Sequence, residues 1–106
     1  MRKKKVLFVC TANYYRSVTA ERIFKDYENL EVKSAGTHPL AERTIDKDLI
    51  DWADLIFAME EEHKEAILTI APEAEYKIIV LDIPDIYGRM DPFLIRILKE
   101  KVSKYL

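Results

Sequence analysis

Apolar residues recur along this chain in two rhythms. The first is a short unbroken run, residues 6–10, 55–59 and 78–81, which places strands at residues 5–9, 55–59 and 77–81. Runs of that length read as strands buried on both faces of a parallel sheet. Residues 31–35 read as a short second strand, closed by Gly36. The second rhythm has helical spacing. Residues 17–28 place Ala20, Ile23, Phe24 and Tyr27 on one face, with charges opposite. Residues 44–53 carry Ile45, Leu49, Ile50 and Ala53. Residues 60–70 carry His63, Ala66, Ile67 and Ile70 behind Met59, and Pro72 ends them. A last helix opens at Asp91-Pro92, a capping residue followed by a first-turn proline, and carries Leu94, Ile97, Leu98, Val102 and Tyr105. Residues 37–43, with Pro39, read as a loop. Strands alternating with helices predict an α/β chain: a four-stranded parallel sheet with helices on both faces, a three-layer sandwich. Neither a repeat nor a linker interrupts the pattern, so residues 1–106 are predicted to form one domain.

Composition narrows the function classes. With 17 Lys+Arg against 19 Asp+Glu, the net charge of −2 argues against a nucleic-acid binder, which usually carries a basic excess. The single cysteine rules out an internal disulfide framework and a cysteine-rich zinc site. Two histidines, His38 and His63, do not make a metal cluster, so neither metal nor other cofactor is predicted. His63, on an apolar helix face, reads as a satisfied core histidine; His38 lies in a loop beside the expected site. Met1-Arg2-Lys3-Lys4-Lys5 before an apolar run superficially resembles a secretory signal. The run spans about seven residues, the bottom of the usual range, before Asn13-Tyr14-Tyr15-Arg16 breaks it. No stretch approaches the roughly 20 apolar residues of a membrane span. A cytoplasmic chain with a reduced thiol and no membrane partner is the expectation.

That thiol lies where a sheet of this kind places its ligands, beyond the carboxyl end of a strand near the point where strand order reverses. The turn reads Cys10-Thr11-Ala12-Asn13-Tyr14-Tyr15-Arg16-Ser17. Joining a strand to a helix, it aims backbone N–H groups and the positive helix end into one bowl, an arrangement that binds a tetrahedral dianion. Thr11, Ala12, Asn13, Tyr14, Tyr15, Arg16 and Ser17 are the predicted phosphate-binding residues. Arg16 closes the bowl with two parallel hydrogen bonds to phosphate oxygens. The same groups favour the thiolate of Cys10, which is the nucleophilic form, and Ser17 can donate its hydroxyl to that sulfur. The loop has no glycine, and Asn13 is its residue best suited to positive φ.

These residues, Val6 to Ser17 followed by Ala20-Glu21, resemble the opening of the low-molecular-weight protein tyrosine phosphatases, whose motif is Val-Cys-x-x-Asn-x-x-Arg-Ser. Ser34-Ala35-Gly36-Thr37, residues 54–59 and Ile83-Pro84-Asp85-Ile86-Tyr87-Gly88 are similar to later stretches of that family. The resemblance implies a flavodoxin-like sheet of order 2-1-3-4 and a cysteine-dependent phosphomonoester hydrolase. It implies that Cys10 forms a phosphocysteine, Arg16 holds the equatorial oxygens and Ser17 stabilises the thiolate. It further implies that Ser34 braces a left-handed Asn13, and that Asp85 protonates the leaving oxygen and then activates water. The implied partner is a phosphorylated protein, foremost one phosphorylated on tyrosine, or a small aryl phosphate. Departures bear on substrate preference. The stretch between Gly36 and Thr44 is short, so a helix and much of one site wall are expected to be missing. Ala12 replaces a glycine, Tyr15 a second loop cysteine, Val18 a proline after Arg-Ser, and Ile86 a proline after the acid.

Three aspartates compete for the acid: Asp82 at a strand end, Asp85 in the loop ahead of Tyr87, and Asp91 before the last helix. Asp85 is preferred, with the Tyr87 ring expected beside the pocket; Asp91 reads as a helix cap. Other chemistries share such a bowl. A phosphate carrier phosphorylates a cysteine after its first strand, but Arg16 and an acid loop would promote attack by water, which a carrier avoids. A non-catalytic anion-binding module and an arsenate reductase using external thiols are the remaining alternatives.

Overall fold

A computed structural model describes residues 3–106; Met1 and Arg2, the start of the basic run, lie outside them. The chain forms β1 (Lys4–Cys10), α1 (Arg16–Phe24), β2 (Leu30–Gly36), α2 (Lys47–Trp52), β3 (Leu55–Ala58), α3 (Glu61–Ile70), a 3₁₀ turn (Pro72–Lys77), β4 (Ile78–Val80) and α4 (Pro92–Ser103). All strand pairs are parallel, in the order β2-β1-β3-β4. Both neighbours of β1 are thus strands, which is why Val6, Leu7, Phe8 and Val9 read as a continuous apolar run and are fully buried.

The alternation of side chains along β1 divides the core. Val6, Phe8 and Cys10 face α1 and α4, packing with Ala20, Phe24, Leu94, Leu98 and Val102. Leu7 and Val9 face α2 and α3, packing with Ile50, Ala53, Ile56 and Ile67. Phe8 stacks between Phe24 and Phe57, with ring centroids 5.7 and 5.3 Å away. This period-two alternation sends Cys10, the last residue of β1, to the α1 side of the sheet. No helix among the described residues is long and apolar enough to cross a membrane.

Element boundaries differ from the sequence expectation for identifiable reasons. α1 stops at Phe24 because the chain then turns, Tyr27 N–H bonding to Phe24 O and Leu30 N–H to Tyr27 O. α2 starts at Lys47, not 44: Thr44 bridges to Gly36, and Asp46 caps the helix by accepting the Leu49 N–H at 2.8 Å. Ile45 is buried, but in this extended approach rather than in the helix. β4 is three residues long, within the expected 77–81: residues 72–77 wind into the 3₁₀ turn, so Lys77 closes that turn instead of opening the strand. Gly36 ends β2 against the turn after β1. A Cβ there would lie 2.5 Å from Thr11 O and 2.9 Å from Asn13 N, so only glycine lets the two segments meet.

Candidate active site

The turn after β1 packs against segment 37–42 behind it. Thr37 N–H bonds to Cys10 O, His38 N–H to Thr11 O and Glu42 N–H to Ala12 O. Those bonds use carbonyls of the turn and leave its amides. Among the described residues, no backbone carbonyl takes the N–H of Ala12, Asn13, Tyr14 or Tyr15. No side chain caps α1 either, since its N-cap, Tyr15, makes no such bond. A helix start with free amides favours an anion.

Asn13 adopts φ 55°, the left-handed conformation expected of it. Its amide Nδ2 donates to Ser17 Oγ and to Ser34 Oγ, each at 2.9 Å. Ser17 Oγ lies 3.0 Å from Cys10 Sγ. When Cys10 is a thiolate the sulfur can only accept, so the Ser17 hydroxyl, whose oxygen takes the Asn13 N–H, donates its hydrogen to the sulfur. By the same logic Ser34 accepts from Asn13 and donates to the Glu21 carboxylate. The chain Glu21–Ser34–Asn13–Ser17–Cys10 thus ends in a donor aimed at the sulfur.

Arg16 is 2% exposed and is the largest fully buried side chain. Its Nη1 donates to Glu60 Oε1 at 2.5 Å and to Ile83 O at 2.7 Å, so the scaffold holds one end of the guanidinium. Its Nε lies 3.8 Å from Asp85 Oδ1. Cys10, Thr11, Ala12, Tyr15, Arg16 and Asp85 together line a hollow of about 90 Å³. That is well below the roughly 300–1,000 Å³ of sites for drug-sized ligands. The hollow suits one small oxyanion with its attached group outside.

The three candidate acids separate cleanly. Asp85 borders the hollow with its side chain 58% exposed. Asp91 caps α4, accepting the Phe93 N–H at 2.8 Å. Asp82, at φ 55°, lines a different hollow beside Lys101 and Lys104. Two aromatic expectations change. Tyr87 does not line the hollow; it is half-buried against the α1–α4 core. Tyr14, half-exposed, is also absent from the lining. Its ring lies under the Arg89 guanidinium at 4.2 Å and edge-on to Tyr15, while Arg89 Nε donates to Tyr14 O. His38 accepts the Leu40 N–H through Nδ1, serving its own loop. No helix forms within residues 37–46; the segment that clasps the turn stands there instead.

Three groups at the site have roles that their sequence context does not signal. Glu60 was readable only as a helix-opening acid, Glu21 only as part of a motif, and His63 as a core histidine. His63 is fully buried, but it accepts the Glu60 N–H through Nδ1 at 3.0 Å and sits 2.8 Å from Thr11 Oγ1 through Nε2. Burial and the neighbouring Arg16 charge lower its pKa, against the opposing pull of Glu62, Glu60 and Asp85. Ligand atoms of Glu60, Glu62 and His63 lie within 4.8 Å of one another, the spacing of a metal site. Both ring nitrogens of His63 and the Glu60 carboxylate already have protein partners, so this donor set is committed to the scaffold.

The chain is similar in sequence and fold to known proteins. The family model for low molecular weight phosphotyrosine protein phosphatase matches residues 5–51. The low molecular weight protein-tyrosine-phosphatase Etp of Escherichia coli K12 is 32% identical over 115 residues, covering 79% of this chain and 78% of Etp. The structure of Vibrio vulnificus Wzb in complex with benzylphosphonate superposes with a TM-score of 0.79 at 26% identity, covering 97% of each chain. The YwlE arginine phosphatase from Geobacillus stearothermophilus superposes with a TM-score of 0.79 at 27% identity, covering 96% of this chain and 92% of that one.

Proposed function

The chain belongs to the low-molecular-weight phosphotyrosine protein phosphatases, cysteine-based hydrolases, and on that premise we propose that it cleaves aryl phosphate monoesters, foremost phosphotyrosine in protein, through a phosphocysteine at Cys10. In the first step the Cys10 thiolate attacks phosphorus. The S–P bond forms, the P–O bond to the aryl group breaks, and Asp85 gives its proton to the departing oxygen. In the second step the Asp85 carboxylate takes a proton from water, the water oxygen attacks phosphorus, and the S–P bond breaks. Inorganic phosphate leaves and the thiolate returns. Charge on the flying phosphoryl group is met by the amides of residues 12–15 and by the Nε and Nη2 of Arg16, the part of the guanidinium that Glu60 and Ile83 do not occupy.

The observation that carries this reading is one small hollow shared by Cys10, Arg16 and Asp85 beneath a run of unpaired amides. Asp85 rests 3.8 Å from the Arg16 Nε, close to where a leaving oxygen would sit. The aryl preference draws on the mouth of the hollow. Tyr15 lines it, and Tyr14, Leu40 and Ile86, on segments bordering the site, are exposed large hydrophobic residues. A flat ring attached to the phosphoryl group would lie against Tyr15. Since Cys10 must stay reduced to attack, the proposed setting is the cytoplasm. The sheet and its helices are proposed to carry the activity as a single domain.

The test mixes purified protein with para-nitrophenyl phosphate at mildly acidic pH, wild type beside Cys10→Ser. Turnover that vanishes in the variant supports hydrolysis through Cys10. A stable phosphocysteine without turnover would indicate a carrier, and phosphate binding with neither an anion-binding module. Turnover of arsenate only with added thiol would indicate a reductase. Peptides carrying phosphotyrosine are expected to turn over faster than those carrying phosphoarginine.

A further inference from the structure

His63 is fully buried, yet neither of its nitrogens serves packing. Nδ1 accepts the backbone N–H of Glu60, so Nδ1 carries no proton. A neutral ring then carries its proton on Nε2, which donates to Thr11 Oγ1 at 2.8 Å. The two partners belong to the two arms of the site. Thr11 follows the nucleophile and lines the hollow. Glu60 is the residue whose carboxylate holds Arg16 Nη1. A leucine or phenylalanine would fill the same space and join neither arm.

We propose that His63 is a positioning residue for phosphoryl transfer: its Nε2-protonated ring staples the anion loop at Thr11 to the start of α3, where Glu60 aims the Arg16 guanidinium. The inference rests on the phosphatase reading and adds the device that keeps nucleophile loop and arginine in register. A second proton has only Nδ1 to occupy, where it would face the Glu60 N–H, donor against donor. The charged groups around the ring are Arg16 from α1, Glu60 and Glu62 from the start of α3, and Asp85 from the loop after β4. Arg16 opposes that second proton and the three carboxylates favour it. Protonation would undo the staple and leave Arg16 poorly aimed, so the staple holds at neutral pH and opens in acid.

The experiment has a structural and a kinetic arm. Ring nitrogen NMR of the wild-type protein is expected to show a pyridine-like Nδ1 and a pyrrole-like Nε2 at pH 7. Three variants follow. In His63→Asn the side-chain oxygen sits where Nδ1 did, retaining the bond from Glu60 N–H while losing reach to Thr11. Thr11→Val removes the other end at nearly constant shape, and serves if the histidine variant fails to fold. His63→Gln returns an N–H at the reach of Nε2. The first two are each expected to lower kcat for para-nitrophenyl phosphate about tenfold, the effect of one well-placed hydrogen bond. KM should change less than threefold, the double variant should be no worse than either single one, and His63→Gln should recover part of the loss. A proton on Nδ1, an unchanged kcat in both single variants, or losses that multiply in the double variant would overturn the staple. Failure of the phosphatase reading would look different: wild-type protein would not turn over, while the ring spectrum would still report the tautomer.

Discussion

Burying a guanidinium commits it to partners, and those of Arg16 tell what remains for a substrate. Nη1 is spent on Glu60 and Ile83 O, so the Glu60 carboxylate sets the angle at which the rest of the group meets the hollow. Glu60→Gln keeps the shape but removes the charge. A charge-assisted hydrogen bond contributes about 1.5–3 kcal/mol, so kcat/KM should fall roughly 10–100-fold by steady-state assay. Asp85→Asn should slow substrates with poor leaving groups by about 10²–10⁴-fold, the usual contribution of a general acid, while Asp82→Asn and Asp91→Asn change the rate little. A larger loss from either of those would reassign the role. What the sequence makes legible at this scale is what is contiguous. Cys10, Asn13, Arg16 and Ser17 fall within eight residues, and one turn binds them. Glu60, Glu21 and His63 come from other segments and acquire their meaning only through the fold. One signal was available: an arginine buried at the carboxyl end of β1 needs a carboxylate, and the residues just past the neighbouring β3 are Glu60, Glu61 and Glu62.

Helices here are aimed by their first turns. α4 begins at an Asp91-Pro92 pair whose carboxylate accepts the Phe93 N–H. Asp91→Ala should lower stability by about 1 kcal/mol, read as a lower melting temperature. α3 begins at the His63–Glu60 bond, and that bond is pH-dependent. His63 has a lowered pKa when folded, so the unfolded chain binds its proton more readily. The contribution of this group is complete above the unfolded value of 6.5 and declines as pH falls from there through the folded value. Melting temperatures recorded from pH 8 to 5 should therefore fall more steeply for wild type than for His63→Asn. Existence and order of the regular elements are legible because apolar runs and helical stripes differ in period. Boundaries are less so, because they are drawn by tertiary partners: Thr44 leaves its helix to bridge Gly36, and residues 72–77 wind into a 3₁₀ turn that Pro72 announced only as a stop.

Across the whole molecule, one sheet feeds a single site. β1 delivers Cys10, β2 delivers Ser34 and Gly36, β3 leads into Glu60, and the segment after β4 brings Ile83 and Asp85. The parallel order puts all four carboxyl ends at one edge, which the alternation of strands and helices predicts, while the contacts joining them depend on register. An anion that binds where these ends meet should stabilise the entire fold. Inorganic phosphate at a hundred times its Kd should add about 2.7 kcal/mol, seen as a raised melting temperature in wild type and nearly lost in Arg16→Lys, which keeps a charge but not the two-pronged geometry. Hydrolysis by this route requires a covalent phosphoryl group at position 10. Asp85→Asn protein should be mixed with para-nitrophenyl phosphate, quenched within the first turnover and mapped by peptide mass spectrometry. The predicted result is one phosphoryl group on Cys10, formed with a stoichiometric burst of nitrophenol and absent from Cys10→Ser. A phosphoryl group on any other residue, or wild-type turnover that survives in Cys10→Ser, would contradict it.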